Sequence, residues 1–101
     1  MKTPRQKTVE LLQPILNRHG FTFDQIVTGK RTHPEMISCR NECMWKLRQQ
    51  GQSLPKIGLA FNRDHKTVLY GIGSHLVEVN RGDLYPKATM YALKNYARAA
   101  R

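Results

Sequence analysis

A short run of polar residues, Asp64 to Thr67, carries side chains that could contact both the bases and the phosphates of a nucleic acid. An Asp carboxylate accepts from the cytosine amino group, and a His ring can hydrogen-bond or pack against a thymine methyl. Lys66 offers a cation to guanine or to a phosphate. Asp is also a frequent helix N-cap, so Asp64 can cap a helix, contact a base, or do both. Val68 and Ile72 follow at helical spacing and predict a helix with a polar start and a buried back.

Signals for helix starts and stops recur along the chain, and no segment alternates long enough to predict a strand. Thr3-Pro4 favours the start of a first helix, and Thr22 with Gln25 forms a capping box for a short second one. A long helix is predicted from about Pro34 to Gln50, and a last one over roughly 87–99. The predicted inward faces of the last two long helices are Val68, Ile72, Leu76 and Val79, then Met90, Leu93 and Ala97.

Two short helices are predicted on either side of a tight Asn62-Arg63 turn, with Ser53 and Asp64 as their caps. Gly71 and Gly73 within the second of them suggest a place where another helix packs closely. Short helices joined by a few residues in a basic helical chain are typical of a helix-turn-helix. We therefore expect an all-α fold, a small multi-helix domain with a helix-turn-helix, formed by residues 1–101 as one domain.

The charge balance points to a polyanionic partner, because 17 Lys and Arg against 7 Asp and Glu give a net charge of +10 and a pI near 10.1. Nucleic acid is the first candidate and an anionic membrane surface the second, while a basic surface without a partner remains open. No apolar run approaches the roughly 20 residues that span a bilayer, and the N-terminus lacks a signal-peptide core.

Cys39 and Cys43 lie four residues apart in a predicted helix and are interpreted as reduced, packed thiols of a cytoplasmic protein. No second ligand pair with zinc spacing accompanies them and His33, and no catalytic set of side chains stands out. The sequence therefore predicts no metal, no cofactor and no enzymatic activity.

The stretch SLPKIGLAFNRDHKTVL, Ser53 to Leu69, resembles the signature of the C-terminal DNA-binding domain of DnaA, the bacterial replication initiator. The family typically reads SLPEIG, a Gly-containing turn, and RDHTTVLHA. VELLQPILNRHGFTFDQIVTGKR and RNECMWKLR upstream are similar to earlier helices of that domain, so the likeness covers about residues 8 to 75. No GxxxxGK[ST] loop is present, and we expect a stand-alone DnaA-like protein without an ATPase. The implied fold is the type shared by Trp repressor and the DnaA domain, with an extra C-terminal helix over 84–101.

The resemblance implies that Asp64, His65 and Lys66 face base edges in the major groove and that Thr67 meets a phosphate. Lys66 departs from the family, which has Thr at that position. A lysine cannot repeat a threonine contact, so the site preference is either altered or replaced by looser electrostatic binding. The FNRD turn is also one residue shorter than the common Gly-Gly version.

A second set of residues is carried over from the family's basic loop and its neighbours. The arginine that enters the minor groove aligns with Thr32, so Arg31 or Lys30 must substitute for it, with Arg31 favoured. Arg40 matches a base-contacting arginine and is predicted to bind guanine, with a solvated surface charge as the alternative; Asn41 is its weaker neighbour.

The third set is expected at the DNA backbone. It comprises Ser53, Leu54, Pro55 and Lys56 at the first motif helix and Arg63 in the turn. Lys56 replaces an acid often found there, which strengthens attraction to phosphates. Arg63 is expected near a phosphate or an acidic side chain of the fold.

The resemblance implies a sequence-specific binder of double-stranded DNA at DnaA-box-like sites that regulates replication initiation or transcription. It would bind as a monomer, without cofactor, associated with the cytoplasmic nucleoid. Three alternatives remain: a general helix-turn-helix regulator with unrelated sites, a protein-binding module that targets the initiator or another replication protein, and, least favoured, an enzyme such as a small nuclease.

Overall fold

The chain folds into helices only, in the residues that the computed structural model describes, 1–29 and 33–99. The helices are α1 (Pro4–His19), α2 (Phe23–Thr28), α3 (Pro34–Gln49), α4 (Leu54–Phe61), α5 (His65–Glu78) and α6 (Pro86–Ala99), with a 3-10 turn at Gly82–Leu84 before α6. The expected all-α class is confirmed. No helix in the described ranges combines the length and apolar character needed to cross a bilayer.

The local signals in the sequence act as predicted at the helix starts. Thr22 and Gln25 form a capping box in which each side chain bonds to the other's backbone N–H. Ser53 accepts from the backbone N–H of Lys56 at 3.3 Å. These caps satisfy N–H groups that have no partner inside the helix, so α2 and α4 begin where the sequence indicates.

The hydrophobic core joins residues of α1 to α6 and holds the two motif helices against the rest of the fold. Ile57 and Phe61 of α4 and Val68, Ile72 and Leu76 of α5 are fully buried. They pack with fully buried residues of the other helices, including Leu12, Ile26, Met44 and Leu47. The buried back predicted for α5 is confirmed up to Leu76. The polar residues of the first turn of α5 precede this buried stripe, so that turn stays exposed to solvent.

Two glycines of α5 allow other helices to approach closely, as predicted. A Cβ atom at Gly73 would lie 2.0 Å from the Ala88 carbonyl oxygen, and one at Gly71 would lie 2.7 Å from Asn41 Oδ1. A side chain at Gly73 would collide with backbone, and one at Gly71 would displace the side chains of Asn41 and Met44, so α6 packs at Gly73 and α3 at Gly71.

The inward faces predicted near the C-terminus are partly wrong. Met90 is 68% exposed and Leu93 48% exposed, whereas Ala88 and Ala92 are buried against α5. The physical reason is the close approach at Gly73, which only small side chains on α6 can accommodate. Val79 is also exposed, because it follows the last residue of α5. The side chain of Ala97 lies outside the described residues.

Candidate nucleic-acid interface

The first turn of α5 presents polar side chains to solvent. Asp64 caps the helix, and its Oδ1 accepts from the backbone N–H of Thr67 at 2.7 Å. His65 and Lys66 are exposed and Thr67 is half-buried. Because Asp64 caps the helix, the exposed positions of this first turn are occupied by His65 and Lys66.

The Asp64 carboxylate is held in its charged form. Hydrogen bonds from the backbone N–H and then the hydroxyl of Thr67 lower its pKa below the ordinary aspartate value, and the charges of His65 and Lys66 add to this. A charged carboxylate has more acceptor sites than one N–H uses. Capping and a base contact are therefore compatible at Asp64.

The turn before α5 is tight and sets the angle between the two motif helices. Asn62 adopts a left-handed conformation with φ of 54°, and the Arg63 N–H donates to the Gly58 carbonyl at 2.8 Å. A Cβ atom at Gly58 would lie 2.3 Å from the Arg63 carbonyl oxygen. The glycine is thus required where the shortened turn passes over α4.

The beginning of α4 is open to solvent. Pro55 and Lys56 are exposed, as is the capping Ser53, and Leu54 is half-buried against the core. The exposed N-terminal end of a helix, with a lysine beside it, favours an anion such as a phosphate.

Arg40 and Arg63 both donate to backbone carbonyl groups, an environment that the sequence did not predict. Arg40 is only 5% exposed; its Nε donates to the Ile26 carbonyl at 2.6 Å and its Nη2 to the Gly29 carbonyl at 3.0 Å. The alternative of a solvated surface charge at Arg40 does not match this burial, and the predicted guanine contact stays a prediction. Arg63 also donates to carbonyl groups, those of Val27 at 2.9 Å and Phe61 at 2.7 Å, and its expected phosphate contact stays a prediction.

Both arginines thus stabilise the carboxyl-terminal end of α2. Carbonyl groups at the end of a helix lack partners within the helix and carry partial negative charge, so a guanidinium is a favourable neighbour. The sequence did not predict this role, because a contact between α2 and arginines far along the chain leaves no local pattern. Lys30, Arg31 and Thr32, the basic loop that follows Gly29, lie outside the described residues.

A groove runs along α5 between α3 and α6. Its walls include Asn41 and Met44 from α3, Lys66 and Tyr70 from α5, and Tyr91 and Asn95 from α6. Asn41 is only 9% exposed and packs beside Gly71, so it supports the groove wall more than it projects from it. The polar residues of α5 are therefore flanked by two further helices, of which α6 was not predicted to take part. The small residues Gly73, Ala88 and Ala92 were the signal for this packing.

Within the described part of the chain, no group of three or more His, Cys, Asp or Glu side chains is placed to hold a metal ion. Cys39 and Cys43 are free and fully buried, as the interpretation of packed thiols requires.

Two helices joined by a tight turn, the second with an exposed polar start, define a helix-turn-helix DNA-binding protein. The family described as the bacterial DnaA protein helix-turn-helix matches residues 10–74, and the chain belongs to that family. The family binds double-stranded DNA through this motif, and the resemblance seen in RDHKTVL is confirmed. No curated protein and no solved structure matches the chain.

Proposed function

We propose that this protein binds DnaA-box-like sites in double-stranded DNA with sequence specificity and regulates replication initiation or transcription there. The observation that carries the proposal is the exposed first turn of α5, which contains Asp64, His65 and Lys66 of the RDHKTVL run. A helix of this kind enters the major groove with its N-terminal residues against the base edges.

Direct readout starts from the charged carboxylate of Asp64. Thr67 uses its N–H to bond Oδ1, and the remaining acceptor positions can take the amino group of cytosine. His65 reaches a neighbouring base by a hydrogen bond or by packing on a thymine methyl. Lys66 donates to guanine O6 or N7, and Thr67 contacts a phosphate at the edge of the groove.

Phosphate contacts at α4 orient the domain on the duplex. The exposed N-terminal end of α4 and the exposed Lys56 form the backbone-binding end of the motif. Lys56 adds a cation where related sequences often have an acid, so it increases affinity for any duplex.

The basic loop, residues 30–32, is the minor-groove element of the proposal. Arg40 and Arg63 support it indirectly, because they bind the last carbonyls of α2 immediately before the loop. Arg31, or Lys30 in its place, enters a narrow A/T-rich minor groove, where the negative potential is strongest. Arg40 then acts as a positioning residue and leaves the base readout to α5.

In this proposal the protein acts by occupying its DNA sites as a monomer. It needs no nucleotide, cofactor or catalytic step for this, and its net charge of +10 favours association with the nucleoid.

Fluorescence anisotropy of a duplex that carries a DnaA box, against a scrambled duplex across a salt series, tests the proposal. Wild type should prefer the box, and the preference should persist at high salt, because base contacts release no counterions. Lys66→Thr restores the family residue and should raise the preference for the box. Circular dichroism of both proteins controls for folding.

Equal binding to both duplexes, with a steep loss in salt, would overturn box recognition. Selection from random duplexes would then separate the alternatives: a different enriched motif indicates a regulator with unrelated sites. Absence of any duplex binding, together with capture of purified replication initiator, indicates a protein-binding module.

A further inference from the structure

Helix α6 lies beyond the residues that match the family, and its carboxyl-terminal half runs back to the polar start of α5. The two helices are antiparallel neighbours: Gly73, in the second half of α5, touches Ala88, in the first turn of α6. Progress along α6 therefore leads toward the first turn of α5.

An aromatic pair fixes this arrangement. The rings of Tyr70 and Tyr96 are stacked, with centroids 6.4 Å apart and an interplanar angle of 17°. Tyr70 lies on the second turn of α5, and Tyr96 lies near the end of α6. Stacked rings of this kind add stability beyond the area they bury, so the end of α6 is held beside the polar turn.

Residues of α6 border the polar turn on two sides. On one side Tyr91 and Asn95 share the groove with Lys66. On the other side Lys94 lines a depression together with Leu69 and, nearer the start of α6, Lys87. Leu69 lies four residues after His65, one turn further along the same helix face. Lys94 itself is exposed.

The charge of α6 is one-sided. Residues 86–99 contain Lys87, Lys94 and Arg98 and no acidic residue. A helix with cations only, beside the turn that enters the major groove, is complementary to the phosphates that border that groove.

We propose that the carboxyl-terminal half of α6 extends the DNA-binding surface and that Lys94 contacts a backbone phosphate flanking the bases read by α5. This inference rests on the proposed function of α5. Tyr91 and Asn95 form the α6 wall of the groove, and Lys94 supplies the cation. The wider footprint increases affinity without adding base specificity.

The test compares Lys94→Ala with Lys87→Ala on the same box-bearing duplex. Both variants remove one exposed lysine from the same helix, but Lys87 lies seven residues, about 10 Å, further from the polar turn. Lys94→Ala should weaken binding about three- to tenfold near 0.1 M salt and lower the slope of log K against log salt by about one. Lys87→Ala should change both quantities less, and Lys94→Arg should retain wild-type affinity. The ratio of box to scrambled affinity should stay the same in all three.

Equal losses for Lys94→Ala and Lys87→Ala, or no loss for either, would overturn the inference while wild-type preference for the box stands. If the wild type bound phosphatidylglycerol vesicles and Lys94→Ala lost that binding while keeping its duplex affinity, the result would also overturn the inference and assign α6 to a membrane surface. Failure of the wild type to bind any duplex would instead overturn the proposed function itself. The readouts therefore distinguish the two failures.

Discussion

Arg40 and Arg63 donate to the same acceptor, the carbonyl oxygen of Gly29, with Nη2–O distances of 3.0 and 3.5 Å. Arg40 belongs to α3 and Arg63 to the turn of the helix-turn-helix, so one peptide group connects α3, the end of α2 and the motif. The described end of α2 and the turn before α5 therefore share one hydrogen-bonding group. Arg40 thus has a supporting role in the fold, and its base contact stays a prediction.

Removal of Arg40 should destabilise the fold as well as weaken DNA binding. Arg40→Ala removes these hydrogen bonds from the buried carbonyl of Ile26 and the half-buried carbonyl of Gly29, and we expect a loss of about 2 to 3 kcal/mol in the free energy of unfolding. Urea denaturation measures this loss. Arg40→Lys should recover little of it, because an ammonium group does not reproduce the planar fork of a guanidinium.

Arg81→Ala is the matched control for Arg40→Ala. Arg81 is exposed and pairs only locally with Asp83, so the urea midpoint should hardly change. A stable Arg40→Ala protein with reduced box preference would contradict the positioning role and restore direct base readout by Arg40.

The two functions of Asp64 can be separated by substitution. Asp64→Ser keeps a side-chain oxygen that caps α5, and it should keep the thermal stability of wild type while losing discrimination at the cytosine position. Asp64→Ala should lose both. Thermal melting and anisotropy on duplexes with a substituted box position measure the two effects, and unchanged discrimination by Asp64→Ser would reduce Asp64 to a helix cap.

Stability should fall in mild acid because of His75. This residue is 9% exposed, and burial lowers its pKa below the ordinary value, although the carboxylates of Glu42 and Glu78 oppose the shift; Arg18 and His19 add to it. Between the lowered pKa and the ordinary value of about 6.5, the unfolded chain binds more protons than the folded one. Stability therefore rises with pH through this window and is lost as pH falls below about 6.5.

His75→Gln should flatten this pH dependence. Urea midpoints measured at intervals from about pH 5 to 8 should show the variant gaining relative to wild type as the pH falls. Parallel curves for the two proteins would show that another group carries the acid sensitivity.

The local elements of this protein follow from short-range signals. The capping box of Thr22 and Gln25 and the caps Ser53 and Asp64 place three helix starts correctly, because a cap acts within one turn. The all-α class follows from these repeated signals, and the family follows from the specific RDHKTVL run. The exposed polar start of α5 was predictable for the same reason: it depends on a cap and on the buried stripe that follows.

The tertiary structure decided the residues whose environment depends on distant parts of the chain. Arg40 is buried because α2 ends against α3, and the spacing of charges along α3 holds no information about that contact. The exposed Met90 and Leu93 were assigned inward by periodicity, but the approach of α6 at Gly73 selects the face with Ala88 and Ala92. Helical period predicts that one face is buried, whereas the partner helix and its small residues determine which one.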